Sequence, residues 1–167
     1  MNNDLMFSSA KDDWGTPQAF FDKINAKYGF TLDAAASHDN AKCNMYYTEE
    51  GLFKHHGTVW LSILTGLTGP WKTWTWCNPP YGRGLKDWVA KAYTEMCHGR
   101  GSVLLIPART DTLYFHKYIW SADLGQALPG VSVDFLKGRL VFEGPVNPKT
   151  GKPDPAPFPS MLVEFRP

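Results

Sequence analysis

Trp74-Thr75-Trp76-Cys77-Asn78-Pro79-Pro80-Tyr81-Gly82-Arg83-Gly84 is the stretch on which the fold turns. Its first four residues read as a short aromatic strand and its last three as a glycine-broken loop. Leu85, Trp88, Val89, Ala92 and Met96 then recur at helical spacing until His98-Gly99 ends the run. Ser102 to Ile106 follows as a continuous apolar strand stopped by Pro107, the pattern of a parallel strand buried on both faces. Strand, helix and strand in that order make a βαβ unit, which closes right-handed almost without exception. In such open α/β sheets ligands bind outside the carboxyl ends of the strands, where Asn78 to Tyr81 stand. Asn78 can accept a hydrogen bond through its side-chain oxygen. Pro79 offers a carbonyl whose direction is fixed by two consecutive locked φ angles, and Tyr81 is expected to expose a ring face for stacking. The trio suits capture of a planar molecule that carries an amino group.

Working outward, residues 1–12 show no periodicity and are expected to form a loose arm, leaving 13–167 as a single domain. Thr16-Pro17 reads as a helix start, with threonine at the N-cap and proline in the first helical position. Phe20, Phe21, Ile24 and Tyr28 share one helical face, and Gly29 reads as the C-terminal cap. Phe30-Thr31-Leu32 is a short strand ending at Asp33, and Met45 to Thr48 a second, closed by Glu49-Glu50-Gly51. Over residues 54–73 a short helix and a strand plus loop both stay open. A helix fits Thr112 to Trp120. Val131 to Phe135 and Arg139 to Phe142 read as strands joined through Lys137-Gly138, with a last strand from Met161 to Phe165. Between them, Pro145 to Pro159 holds six prolines and is expected to be an extended surface loop.

With 167 residues the chain is long enough to bury roughly 70% of the surface it exposes when unfolded. No stretch approaches the roughly 18 consecutive apolar residues of a membrane span, and Met1-Asn2-Asn3-Asp4 lacks the basic start of a secretory signal. Cys43, Cys77 and Cys97 are odd in number and share no Cys-x-x-Cys spacing, so a reducing cytoplasm is expected. His38, Cys43, His55 and His56 are spaced unlike a zinc site, and no metal is expected. A net charge of +1 neither announces nor excludes a nucleic-acid partner. The dinucleotide glycine fingerprint is absent after Asp33, which argues against a pyrophosphate-bearing cofactor.

Asn78-Pro79-Pro80-Tyr81 resembles the catalytic motif of amino-methyltransferases that use S-adenosylmethionine. The wider pattern is similar to the small phage DNA N-6-adenine-methyltransferases (Dam-like). Trp14-Gly15-Thr16-Pro17, Leu32-Asp33-Ala34-Ala35-Ala36, the motif itself, Leu105 to Thr112, and Ala156-Pro157-Phe158-Pro159-Ser160 occur in that family's order. The resemblance implies a Rossmann-like α/β fold with a mostly parallel sheet and an antiparallel C-terminal strand. It further implies site-specific methyl transfer from S-adenosylmethionine to the amino group of adenine in DNA. The location would then be the cytoplasm of a bacterial host, if the chain is phage-encoded.

On that reading Asn78, Pro79, Pro80 and Tyr81 are the catalytic residues. S-adenosylmethionine lacks phosphate and needs a carboxylate for its ammonium group, a role that falls on Asp33, with Ala34 and Ala35 permitting close backbone approach. The resemblance puts Thr16 and Pro17 at the cofactor's other end, and the ribose partner at Glu49 or Glu50. DNA contact is expected from Arg83, Arg109, Asp111, Lys137 and Arg139, although Asp111 reads equally as a helix cap and Lys137 to Arg139 as a solvated turn. Methylation at cytosine carbon 5 would need a cysteine nucleophile, commonly in a Pro-Cys pair, and the chain has none. The motif resembles adenine more than cytosine enzymes. Alternatives are a protein-glutamine or cytosine amino-methyltransferase, or a non-catalytic nucleic-acid-binding module on a degenerate methyltransferase fold. Oligomeric state is left open.

Overall fold

The structure, a computed structural model, describes residues 14–50, 52–55, 58–61, 64–144 and 146–167. The arm expected over 1–12 lies outside the described residues, as do Gly51, His56 and Pro145.

One mixed sheet organises the chain. In sequence order its strands are β1 (Leu32–Asp33), β2 (Met45–Tyr47), β3 (Leu52–His55), β4 (Thr58–Leu61), β5 (Thr75–Cys77), β6 (Ser102–Pro107), β9 (Val131–Phe135) and β10 (Ser160–Phe165). A separate ribbon pairs β7 (Trp120–Ser121) with β8 (Gln126–Ala127). The large sheet runs β4-β3-β2-β1-β5-β6-β10-β9. Its centre, β2-β1-β5-β6, is parallel, and both flanks are antiparallel. The antiparallel part is larger than expected, because β9 and β10 both belong to it and β3–β4 form a hairpin against β2. Among the described residues of 54–73 the ambiguity resolves in favour of strand plus loop, strand up to Leu61 and turn and loop from 64 to 73. All six residues of β6 are buried, as a continuous apolar run between covered faces requires.

The chain leaves β1 on one side to make β2 and returns on the other to make β5. Leu32 therefore pairs with both Met45 and Thr75. This reversal opens a crevice at the carboxyl ends of β1 and β5, immediately before Ala34 and Asn78.

Among the described residues three helices pack with the sheet: α1 (Gln18–Tyr28), α2 (Leu85–Cys97) and α3 (Leu113–Tyr118). Phe21 of α1 packs on Phe30 and Trp76, with ring centroids 5.9 and 5.5 Å away. Gly29 ends α1 in the left-handed conformation at φ 62°, which only glycine adopts without cost. The helix start differs from expectation. Pro17 takes the N-cap position, and the Glu143 carboxylate, 2.9 Å from the Gln18 N–H, supplies the cap. A negative group there suits the helix dipole. In α2 the expected stripe is buried, joined by Glu95, which pairs with Lys91 at 2.5 Å and Arg100 at 2.6 Å. The chain stops α3 short of Trp120, because Trp120 already pairs with Ala127 in the ribbon.

The hairpin expected between Val131–Phe135 and Arg139–Phe142 does not form. The β9 edge is taken by β10, whose apolar Met161 and Val163 are fully buried beside β6. Residues 139–142 instead run back over the sheet rim, where the Leu140 carbonyl accepts the Ala156 N–H and Phe142 is buried. From 146 to 159 the proline-rich segment is a loop, as its composition predicts. Among the described residues no helix is long and apolar enough to cross a membrane.

Candidate active site

A cavity of about 670 Å³ opens at the carboxyl ends of β1, β2 and β5. Its walls are the loop 34–39, residues 47–50, the turn 65–67, Pro80 and Trp88. Of the residues expected on the cofactor side, Ala34, Ala35 and Glu49 line it, with Glu50 beside them. Both glutamates are exposed at the end of β2. The wall at Gly66 is unusually tight: a Cβ there would lie 1.8 Å from the Ala34 carbonyl oxygen and 2.8 Å from the Trp88 ring. Nothing in the local sequence around Gly66 signals this close approach.

Asp33 does not line the cavity. It is 3% exposed, and its two carboxylate oxygens accept the backbone N–H groups of Ala35 at 3.3 Å and Lys42 at 3.0 Å. Burial pushes its pKa up to about 6, against the opposing pull of those two N–H groups. Its observed work is to shape the loop that forms the cavity wall. Lys42 extends the network outward, its ammonium reaching Glu143 at 3.1 Å and the Gln18 side chain at 3.2 Å.

At the neighbouring strand end, Asn78 is half-buried, with both ends of its amide hydrogen-bonded. Its amide nitrogen donates to the Trp14 carbonyl and to the Thr16 hydroxyl, the latter at 3.0 Å. Its oxygen accepts the Tyr81 hydroxyl at 2.6 Å, and that hydroxyl also lies 3.1 Å from the Leu105 carbonyl. Thr16 and Asn78 meet across 62 residues of sequence. Thr16 and Pro17 are absent from the cavity lining.

The expected exposure of Tyr81 is corrected by the structure. The ring is 4% exposed and sits edge-on to Phe158 at 5.5 Å and Phe142 at 6.1 Å. Trp14 closes the same cluster, 5.3 Å from Phe158 and 5.5 Å from Phe142. Edge-to-face contacts of this kind are the favoured aromatic geometry. Burial drives the Tyr81 hydroxyl well above its ordinary range, so it stays a protonated donor. Pro79 is buried, while half-buried Pro80 links the motif to the cavity wall. Trp14 and Phe158 stand in stretches that the sequence reading had singled out. Phe142, which reads locally as a strand residue, and Glu143 carried no signal of a place in the site.

Arg83, Arg109, Asp111, Lys137 and Arg139 are all exposed. Strand geometry sets four of them on one edge. β6 and β9 both run antiparallel to β10, hence in the same direction, and Met161 stands opposite both Ile106 and Phe135. The segments carrying Arg109, Asp111, Lys137 and Arg139 therefore leave the sheet at the edge where Asn78 leaves β5. Asp111 is not the cap of α3; that position is Thr112, whose hydroxyl donates to the Arg109 carbonyl at 2.8 Å. Burial pushes the Cys77 thiol up, and the Cys43 thiol to about 12, so neither is poised as a thiolate. Among the described residues no group of three or more histidine, cysteine or acidic side chains is placed to hold a metal ion.

Comparison with known proteins adds to this geometry. The sequence model of the DNA N-6-adenine-methyltransferase (Dam) family matches residues 5–167. The DNA N-6-adenine-methyltransferase of Escherichia phage T1 is 31% identical over 153 residues, which is 86% of this chain and 58% of the phage protein. The chain thus spans little more than half the length of that relative. YfdM of Escherichia coli strain K12, which carries a methyltransferase name, is 41% identical over 71 residues, 42% of this chain and 71% of YfdM.

Proposed function

The chain belongs to the DNA N-6-adenine-methyltransferase family, and from that premise we propose that it transfers a methyl group from S-adenosylmethionine to the exocyclic amino group of adenine in DNA. The observation that carries the reading is the Asn78 amide, fixed at the end of β5 beside a cavity whose wall includes Pro80. The parallel centre of the sheet, with a cavity at its strand ends, supports the reading of residues 13–167 as a Rossmann-like, S-adenosylmethionine-dependent methyltransferase domain.

The cavity suits the cofactor by size and chemistry. Its volume of about 670 Å³ falls within the range of small-molecule sites. Alanines permit close backbone approach, Trp88 and Leu67 give apolar walls, and Glu49 and Glu50 offer carboxylates for ribose hydroxyls. Bound there, S-adenosylmethionine supplies a methyl group activated by a sulfonium. Asp33 acts on the cofactor side by holding the 34–42 loop in place.

On the reacting side the amino nitrogen's lone pair is delocalised into the base, and the protein must encourage it toward tetrahedral geometry. The Asn78 oxygen and the Pro79 carbonyl accept its two hydrogens, leaving the lone pair directed at the methyl group. The barrier falls through orientation and preplaced dipoles. A base within a duplex cannot reach this position, so the target is flipped out. The exposed Arg83, Arg109, Lys137 and Arg139 are suited to phosphate contacts along the rim. We place this work in the cytoplasm, that of a bacterial host if the chain is phage-encoded.

Incubating the protein with unmethylated DNA and isotopically labelled cofactor, followed by nucleoside mass spectrometry, tests the proposal. Labelled N6-methyladenine is the expected product. Label on cytosine, or on no nucleoside, overturns it.

A further inference from the structure

Resting on the reading of Asn78 as the group that receives the target amine, we propose that Thr16 is a positioning residue for that amide rather than a cofactor contact. Three observations carry this. Thr16 is 3% exposed and stands with Asn78 behind the cavity wall, which neither residue lines. Its hydroxyl oxygen lies 3.0 Å from the Asn78 amide nitrogen. The other partner of that nitrogen is the Trp14 backbone carbonyl, which only accepts hydrogen bonds.

Together these fix which way the amide faces. A carbonyl against Trp14 demands the NH₂ end of Asn78, since the reversed amide would set two acceptors against each other. With both N–H groups spent on Trp14 and Thr16, the Asn78 oxygen turns toward Tyr81, whose hydroxyl donates to it at 2.6 Å. An amide oxygen has two acceptor sites, so one remains for an incoming amino hydrogen. Donation from the NH₂ end also polarises the amide and strengthens its oxygen as an acceptor.

The segment bearing Thr16 is held from its far side. The Glu143 N–H donates to the Gly15 carbonyl at 2.7 Å, and the Glu143 carboxylate accepts the Gln18 N–H at 2.9 Å. Trp14 to Gln18 is therefore a clamp whose residues are tied alternately, Trp14 and Thr16 to Asn78 and Gly15 and Gln18 to Glu143.

The test measures kcat on duplex DNA and cofactor affinity by calorimetry for Thr16→Val, Thr16→Ser, Tyr81→Phe and Asn78→Ala. Thr16→Val keeps the shape but loses the acceptor. It is expected to lower kcat roughly ten- to a hundredfold with cofactor affinity unchanged, as misplacement of a reacting group does. Thr16→Ser restores the oxygen and most of the rate. Wild-type kcat in Thr16→Val, or weakened cofactor binding with kcat intact at saturation, overturns the proposal. Should Thr16→Val not fold, Tyr81→Phe decides: a fall in kcat at unchanged cofactor affinity supports the oriented amide, and an unchanged kcat refutes it. Asn78→Ala separates this inference from its parent. An active Asn78→Ala sinks both; an inactive Asn78→Ala beside a fully active Thr16→Val sinks only this one.

Discussion

At the scale of single residues, two groups have tasks that their type alone does not announce. Tyr81 has a buried ring and a hydroxyl that orients Asn78. Tyr81→Ala is expected to cost about 3–5 kcal/mol of stability through the cavity it leaves among Phe142, Phe158 and Trp14. Tyr81→Phe keeps the packing and costs only about 1 kcal/mol for the lost hydrogen bond. Urea denaturation of the two variants checks the contrast; equal midpoints would contradict the packing role. Asp33 yields a pH prediction. Its folded pKa of about 6 lies above the ordinary 3.8, so ionising it costs the folded state more than the unfolded one. That penalty is absent below pH 3.8, grows as pH rises through 6, and then levels off near 3 kcal/mol as a rough figure. Asn at this position cannot ionise. The stability of Asp33→Asn relative to wild type should therefore improve between pH 4 and 6, whatever the constant cost of losing one acceptor. A flat difference across that window, measured by denaturant midpoints, would contradict the burial of the charge.

Among elements, the connections after β1 and before β5 decide whether the cavity exists. The parallel strands β1 and β2 are joined by residues 34–44 without a helix, and Asp33 holds that loop by its own backbone N–H groups. The turn at 65–69 closes against it, with the Gly66 carbonyl accepting the Trp71 indole N–H at 2.6 Å. At Gly66 a methyl group would collide with backbone at 1.8 Å, and backbone cannot step aside as a flexible side chain can. Gly66→Ala is thus expected to displace the turn and weaken S-adenosylmethionine binding by tenfold or more, which calorimetry would read. Wild-type affinity in this variant would show that the turn does not border the cofactor.

On the scale of the molecule, the sheet brings three separate stretches of chain to one edge. Lys137 and Arg109 stand about 28 residues apart in sequence, yet β6 and β9 deliver them to the same rim through their shared partner β10. If both meet phosphate, Lys137→Glu and Arg109→Glu should each weaken DNA binding across all sequences. Each should also reduce the salt dependence of log affinity by about one unit, with cofactor affinity untouched. Fluorescence anisotropy over a salt series reads this, and an unaltered slope would remove the residue from the interface. The sequence by itself determined the β5–α2–β6 unit, the switch from strand to loop at Asn78, and the loop character of the proline-rich segment. Those follow from local rules: apolar period, proline's fixed φ and glycine's freedom. It also raised a strand at Arg139–Phe142, which the local pattern permits. Only the tertiary structure decided against it: β9 pairs with β10, while Phe142 is buried in the aromatic cluster of Trp14, Tyr81 and Phe158. Only the tertiary structure brought Thr16 to Asn78, turned Tyr81 inward, and set Glu143 over the start of α1. Hydrogen-bond satisfaction and burial act between residues far apart in the chain, and no local periodicity records which distant partner completes a polar group.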